Sequence, residues 1–291
     1  MTAGAIISDN LARSWVVAID PSAAVMADHQ PGGVPLLGTV AQLEQLARCG
    51  AELMGDQHLT AFSNILIEAP FLIADGKPAN ITVSIVAHPD RTTQSAVICS
   101  GCDGQTTTHL RATLSYSSTW ERGDHVSLAD PPARSVSQAQ IYRCYFHGPA
   151  FQVIGRAARV GETILAESVS ALPNWCDQSG GPYASLRLIE FGLQTAGLYH
   201  LGAGSGMLIP KTIARIDRYA AADIGDGGAY VARAATSKSG KGVDIAITTR
   251  AGAPIASIRD YACDPLPFVH DHSAVNMLSA LLNATQPVEI L

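Results

Sequence analysis

Charge is scarce in this chain of 291 residues: Asp, Glu, Lys and Arg together make up 15%, against about 25% in an ordinary soluble domain. No basic run interrupts a net charge of −6, which argues against nucleic acid or a membrane surface as a partner. No apolar run reaches the length of about 18 residues that a membrane-crossing helix needs. The N-terminus, MTAGAIISDNLARSW, lacks a basic stretch and meets Asp9 early, unlike a signal peptide. A soluble cytoplasmic protein is the resulting expectation. Aromatic residues are only 6%, whereas 47% of the chain is hydrophobic. That excludes a disordered chain and leaves Ala, Val, Ile and Leu to build most of the core. The 6 cysteines are too few for a disulfide scaffold. Cys99 and Cys102 form a lone CxxC, but a structural zinc needs four ligands. The pair is read as a turn between strands, and no metal site is expected.

What is present reads as α+β. Short β-rich runs recur at 14–19, 65–73, 80–88, 94–99, 107–117, 140–146, 162–170, 209–216, 229–235, 242–249 and 254–261. Turn signals such as DGKP (75–78), GCDG (101–104), SGKG (239–242) and AGAP (251–254) separate them. Long helices are expected only at 40–54 and from 186 to about 200, where apolar residues recur at helical spacing. Residues 121–137, polar with a Pro pair, read as a linker. The expected division is an N-terminal half (1–120), this linker and a C-terminal half (138–291).

A repeat supports that division. Placing Glu44 over Glu190 aligns VAQLEQLARCGAEL with LRLIEFGLQTAGLY, and strand–turn–strand–turn–strand patterns follow in both halves. Each half therefore reads as one apolar helix with an antiparallel sheet turning back round it. Such a sheet covers its own hydrophobic face, and two halves in tandem form a pseudo-dimer.

Two residues carry potential acid–base chemistry. His29 precedes the Gly/Pro-rich segment QPGGVPLLG, which leads into the first helix. This sets an imidazole beside a helix N-terminus, whose unpaired N–H groups can hold a carbonyl or oxyanion. Glu190 lies between Ile189 and Phe191 in the second helix. Loss of solvation there raises a carboxyl pKa, so the group can hold a proton near neutrality. Gln194 lies one turn on and can orient Glu190 or a substrate. Glu44 has a similar setting, but the matching loop of the second half (173–185) carries no histidine, so the pseudo-dimer has at most one complete site. His147 is read as the polar end of a strand at the Gly-Pro turn, with a second active-site imidazole as the other reading. His270 and His272 read as an exposed tail pair.

The segment ADHQPGGVPLLGTVAQLE resembles the HxxxGxxxxP motif of acyl-carrier-protein-linked dehydratase domains in type I polyketide synthases and related fatty-acid synthases. IYRCYFHGPAFQVIGRA resembles their YGPxF motif, and RLIEFGLQTAG the helix carrying the second catalytic carboxylate. The resemblance spans about residues 14–261. It implies a double hot-dog fold with one active site at the pseudo-dimer interface. On it, His29 and Glu190 are the catalytic pair. Gly33, Gly38, His147, Gly148, Pro149, Phe151 and Gln194 fall at substrate-binding positions. Gly38 stands where the motif has proline, His147 where it has tyrosine, and Ser185-Leu186 where His-Pro precedes the carboxylate.

The implied reaction is dehydration of a β-hydroxyacyl thioester to a 2-enoyl thioester. The substrate rides on the phosphopantetheine of an acyl carrier protein, and no other cofactor is implied. Implied partners are that carrier and further megasynthase domains. The missing carrier, ketosynthase and reductase motifs suggest a domain of a larger synthase. Such domains commonly pair, so a homodimer is an expectation. The same His/carboxylate pair could also serve an isomerase or a product-template-like cyclase. An acyl-binding structural domain without turnover and a thioesterase are the remaining readings.

Overall fold

The computed structural model describes residues 12–102, 104–126, 132, 134–172, 185–219, 229–266 and 271–284. The N-terminal half contains β1 (Ala12–Ile19), the single-turn α1 (Ala24–Ala27), α2 (Thr39–Met54), β2 (His58–Ile67), β3 (Ala79–Ala87), β4 (Thr93–Cys102) and β5 (Gln105–Ser117). After it come β6 (Val136–Ser137), α3 (Gln138–Tyr142), β7 (Ile154–Val160), β8 (Thr163–Ser168), α4 (Ser185–Gly202), β9 (Leu208–Arg218), β10 (Tyr230–Thr236), β11 (Val243–Thr249), β12 (Pro254–Pro265) and α5 (His272–Ala284).

The described strands form one 12-stranded sheet in the order β1-β3-β4-β5-β2-β9-β12-β11-β10-β8-β7-β6. The path β2-β5-β4-β3-β1 is repeated as β9-β12-β11-β10-β8, so the expected repeat is visible in the topology. The two sets join where β2 and β9 run antiparallel, pairing Phe62 with Ile216 and Ile65 with Ile213. The expected linker, 121–137, falls between β5 and α3 and takes in β6; of it, residues 127–131 and 133 lie outside the described residues.

Each set of strands curls round one helix. A helix that is apolar nearly all round must be enclosed. In α2, Leu43, Leu46 and Ala47 are buried; in α4, Leu188, Ile189, Phe191, Ala196 and Leu198 are fully buried. Each such Leu, Ile or Phe side chain contributes about 1.5–3 kcal/mol on leaving water. Glycines let the sheets close tightly. A Cβ on Gly192 would stand 2.8 Å from Cδ1 of Ile247. Register shifts in β2 and β12, where Asn64 and Asp260 take left-handed φ values of 51° and 48°, sharpen the curl. The two helices touch each other beneath the seam, and one continuous apolar cluster runs through both halves.

The two expected long helices are present, as α2 and α4. Three expectations are corrected. The segment 140–146 is not a strand: a capping box formed by Ser137 and Gln140 starts α3 there. The run 65–73 is split. β2 begins earlier, at His58, and ends at Ile67, after which Ala69-Pro70 departs from the ladder. Lastly, α5 is a third long helix, burying Ala274, Val275, Leu278 and Leu282.

Candidate active site

His29 sits just beyond α1, on a loop that closes on itself. The Leu36 N–H donates to the His29 carbonyl (2.9 Å), and the His29 ring donates from Nδ1 to the Leu36 carbonyl (2.9 Å). Since a carbonyl can only accept, Nδ1 carries the proton and Nε2 keeps a lone pair. The turn between them, Pro31–Gly33, needs left-handed φ values of 68° at Gly32 and 81° at Gly33, which glycine adopts without steric cost. Gly38 is the residue before α2. A Cβ there would come within 3.1 Å of His29 Nε2, so its bare backbone lets the ring lie against the helix start.

The second segment of the site comes from the other half. His29 and His147 form an isolated antiparallel bridge. Asp28 ties the two loops: its carbonyl accepts from the Gly148 N–H (2.8 Å) and its Oδ2 from the Ala150 N–H (2.8 Å). Gly148 is required by this contact, because a Cβ would stand 2.4 Å from Asp28 Oδ1. The His29 ring then packs at 5.0 Å from Phe151 and 5.1 Å from Phe146, centroid to centroid.

Glu190, 7% exposed on α4, faces the same space. Gln194 Nε2 donates to Glu190 Oε1 (2.8 Å) and to the Phe151 carbonyl (2.9 Å). Gln194 Oε1 accepts from Tyr142 Oη (2.8 Å), which itself accepts from the Ile154 N–H (2.9 Å). Tyr145 Oη donates to the Gln194 carbonyl (2.9 Å). The α3 segment thus locks the carboxyl from behind. Sequence reasoning missed Asp28, Tyr142 and Tyr145. Asp28 adjoins His29 and both tyrosines lie in the YGPxF-like segment, but their roles arise from contacts across the two halves.

His29, Glu190 and His147 line one cavity of about 470 Å³, within the range of a small-molecule site. Gly38, Thr39, Gln42 and Gln194 also line it, with Leu193, Met207 and Tyr261 among its apolar walls and Lys211 and Asp264 in its lining. Gly33, Gly148, Pro149 and Phe151 do not line it. Gly33 turns the His29 loop, Gly148 and Pro149 form the turn against Asp28, and Phe151 presents its ring to His29 and its carbonyl to Gln194. These residues brace the loops that form the site. His147 departs from its expectation as the end of a strand. It ends no strand; its ring is buried, with Nε2 3.7 Å from Glu190 Oε1.

Burial sets the protonation states. It lowers the His29 pKa to about 4, against the opposing hydrogen bond to the Leu36 carbonyl. It raises that of Glu190 to about 7, with the Gln194 hydrogen bond pulling the other way. Burial, and then the neighbouring His29, push His147 well below the usual imidazole range. His147 and Glu190 are therefore not an ion pair: near neutrality the imidazole is uncharged, and much of Glu190 still holds its proton. The arrangement offers a base and an acid in one apolar chamber, which is what proton abstraction coupled to protonation of a leaving group requires.

Among the described residues no group of His, Cys, Asp and Glu is placed to hold a metal ion, and no helix is long and apolar enough to cross a membrane. Cys99 is a free thiol on β4. His272 opens α5 and is exposed; His270, Cys176 and the 173–184 loop lie outside the described residues.

No family model and no curated protein matches the chain in sequence. Solved structures do match in shape. The dehydratase domain from the CurK module of curacin polyketide synthase superposes with a TM-score of 0.73 at 16% identity, covering 91% of this chain and 97% of that one. A trans-AT polyketide synthase dehydratase domain from Brevibacillus brevis gives 0.72 at 17% identity, covering 88% and 94%. A dehydratase structure concerned with substrate selection in the borrelidin and fluvirucin polyketide synthases gives 0.67 at 22% identity, covering 89% and 90%. Two further structures are of CurK dehydratase variants described as inactive, one with a histidine replaced by phenylalanine and one with an aspartate replaced by asparagine. With its two helices each wrapped by half of a continuous antiparallel sheet, the chain has the double hot-dog fold of polyketide-synthase dehydratase domains.

Proposed function

We propose that this chain dehydrates a β-hydroxyacyl thioester to the 2-enoyl thioester, acting on substrate carried by the phosphopantetheine arm of an acyl carrier protein within a polyketide or fatty-acid-like synthase. The observation that carries this reading is one cavity holding a neutral buried imidazole from the front half and a protonatable buried carboxyl from the rear half. The resemblance of fold to polyketide dehydratases supports it. So does the loss of activity in CurK variants lacking a histidine or an aspartate, the residue types that His29 and Glu190 supply or replace.

His29 Nε2, with its lone pair toward the chamber, takes the α-proton. Glu190, whose burial favours its protonated form, delivers its proton to the β-hydroxyl. Gly38 and Thr39, at the start of α2, bring the helix N-terminus to the cavity wall. Its unpaired N–H groups and positive end stabilise the thioester oxygen as charge builds there. This is the role expected of a helix N-terminus beside His29. The cavity's aliphatic walls accommodate an acyl chain.

The test is direct. The purified chain is given a 3-hydroxyacyl-pantetheine thioester and products are separated. Formation of the 2-enoyl thioester is expected, and His29→Ala and Glu190→Gln should each lower its rate by about 10²–10⁴. Release of free thiol, or no conversion by the parent chain, would overturn the reading.

A further inference from the structure

His147 is a buried polar group of the cavity that the elimination, as derived so far, leaves without a part. Its ring is stacked on Phe146 at 4.3 Å and held 5.4 Å from the His29 ring. Its Nδ1 is buried with no hydrogen-bond partner. A proton on Nδ1 would bury a donor with nothing to receive it. The ring's single proton therefore belongs on Nε2, which faces Glu190. The separation of 3.7 Å from Nε2 to Glu190 Oε1 is too long for a direct hydrogen bond. An oxygen atom seated between the two groups can stand about 2.8 Å from each.

Resting on the dehydratase reading above, we propose that this third atom is the β-oxygen of a 3-hydroxyacyl thioester, and that His147 donates its Nε2–H to that oxygen as it leaves. The α C–H bond breaks and its proton goes to His29 Nε2. The Cα=Cβ double bond forms, the Cβ–O bond breaks, and the oxygen departs as water with the proton of Glu190. His147 keeps its own proton throughout and stabilises the charge growing on the oxygen. The 2-enoyl product has no β-oxygen, so His147 holds substrate and not product.

The experiment separates binding from turnover. In a His29→Ala background, Kd is measured by calorimetry for a 3-hydroxyacyl-pantetheine thioester and for its 2-enoyl counterpart. Adding His147→Phe, which keeps an aromatic ring and loses the N–H, should weaken the hydroxy ligand by about tenfold, the effect of one hydrogen bond, and leave the enoyl ligand unchanged. Adding His147→Tyr instead should restore the hydroxy ligand. In the chain with His29 intact, His147→Phe should lower kcat more than it raises KM. Equal weakening of both ligands, or of neither, overturns the role of His147 and leaves the dehydratase reading standing. A parent chain that neither binds nor converts the hydroxy thioester overturns both. Retained enoyl binding shows that the variant is folded, and His147→Met serves as a second donor-free side chain should His147→Phe fail to fold.

Discussion

His29 and Glu190 have their pKa values displaced in opposite directions, and the pH dependence follows from the signs. On the proposed mechanism the base must be neutral, which holds above about 4. The acid must be protonated, which holds below about 7. A plot of kcat/KM against pH should therefore be bell-shaped, with limbs near those two values. The Gln194 hydrogen bond favours the Glu190 carboxylate, so Gln194→Met should move the alkaline limb upward. Stability carries the mirror image of the same shift. A carboxyl whose folded pKa is raised from 4.5 to about 7 contributes its full stability below 4.5 and loses it as pH climbs through 7. Glu190→Gln removes that loss. Its unfolding free energy at pH 8.5 should exceed that of the parent by about 3 kcal/mol, measured by denaturant titration, even as turnover disappears. Glu44, equivalent in the repeat, does not line the cavity, and Glu44→Gln should leave most of the turnover intact.

Among elements, the decisive contact is between two short loops. Asp28 accepts from the backbone of both Gly148 and Ala150, and so fixes the distance between the His29 loop and the α3 segment. Asp28→Ala should cost about 1.5–3 kcal/mol, as for a hydrogen bond to a charged group, seen as a lowered Tm, together with a loss of kcat. Much at this level was legible in the sequence. α2 and α4 announce themselves by apolar residues at helical spacing, and β3, β4, β5 and β11 by alternation between turn signals. α3 is hidden because Ile141, Tyr142, Tyr145 and Phe146 have strong β-propensity, which outweighs the short Ser137–Gln140 capping box. α5 carries a readable helical spacing at Val275, Leu278 and Leu282. The tie through Asp28 could not be read, since it depends on a contact 122 residues apart in the chain. For His147, the neighbouring Phe146 and Phe151 are visible in the sequence, but the approach to Glu190 is not.

For the whole molecule, the repeat legible from Glu44 and Glu190 becomes one sheet rather than two. Because β2 and β9 share a ladder and the apolar cluster is continuous across it, the halves should not melt separately. A single cooperative transition is expected in calorimetry, with calorimetric and van't Hoff enthalpies in agreement. Two resolved transitions would show that the seam is weaker than its pairing suggests.

The tandem arrangement has a consequence for heredity. When two like subunits are encoded by one gene, every substitution strikes both copies, and each copy must retain the imidazole and the acid. Here the duplicated units share one continuous chain, so each can drift under its own selection. On the proposed mechanism the front unit supplies the histidine loop and the rear unit the acidic helix. A single workplace is then assembled from both, and the rest of each unit is left to serve as scaffold.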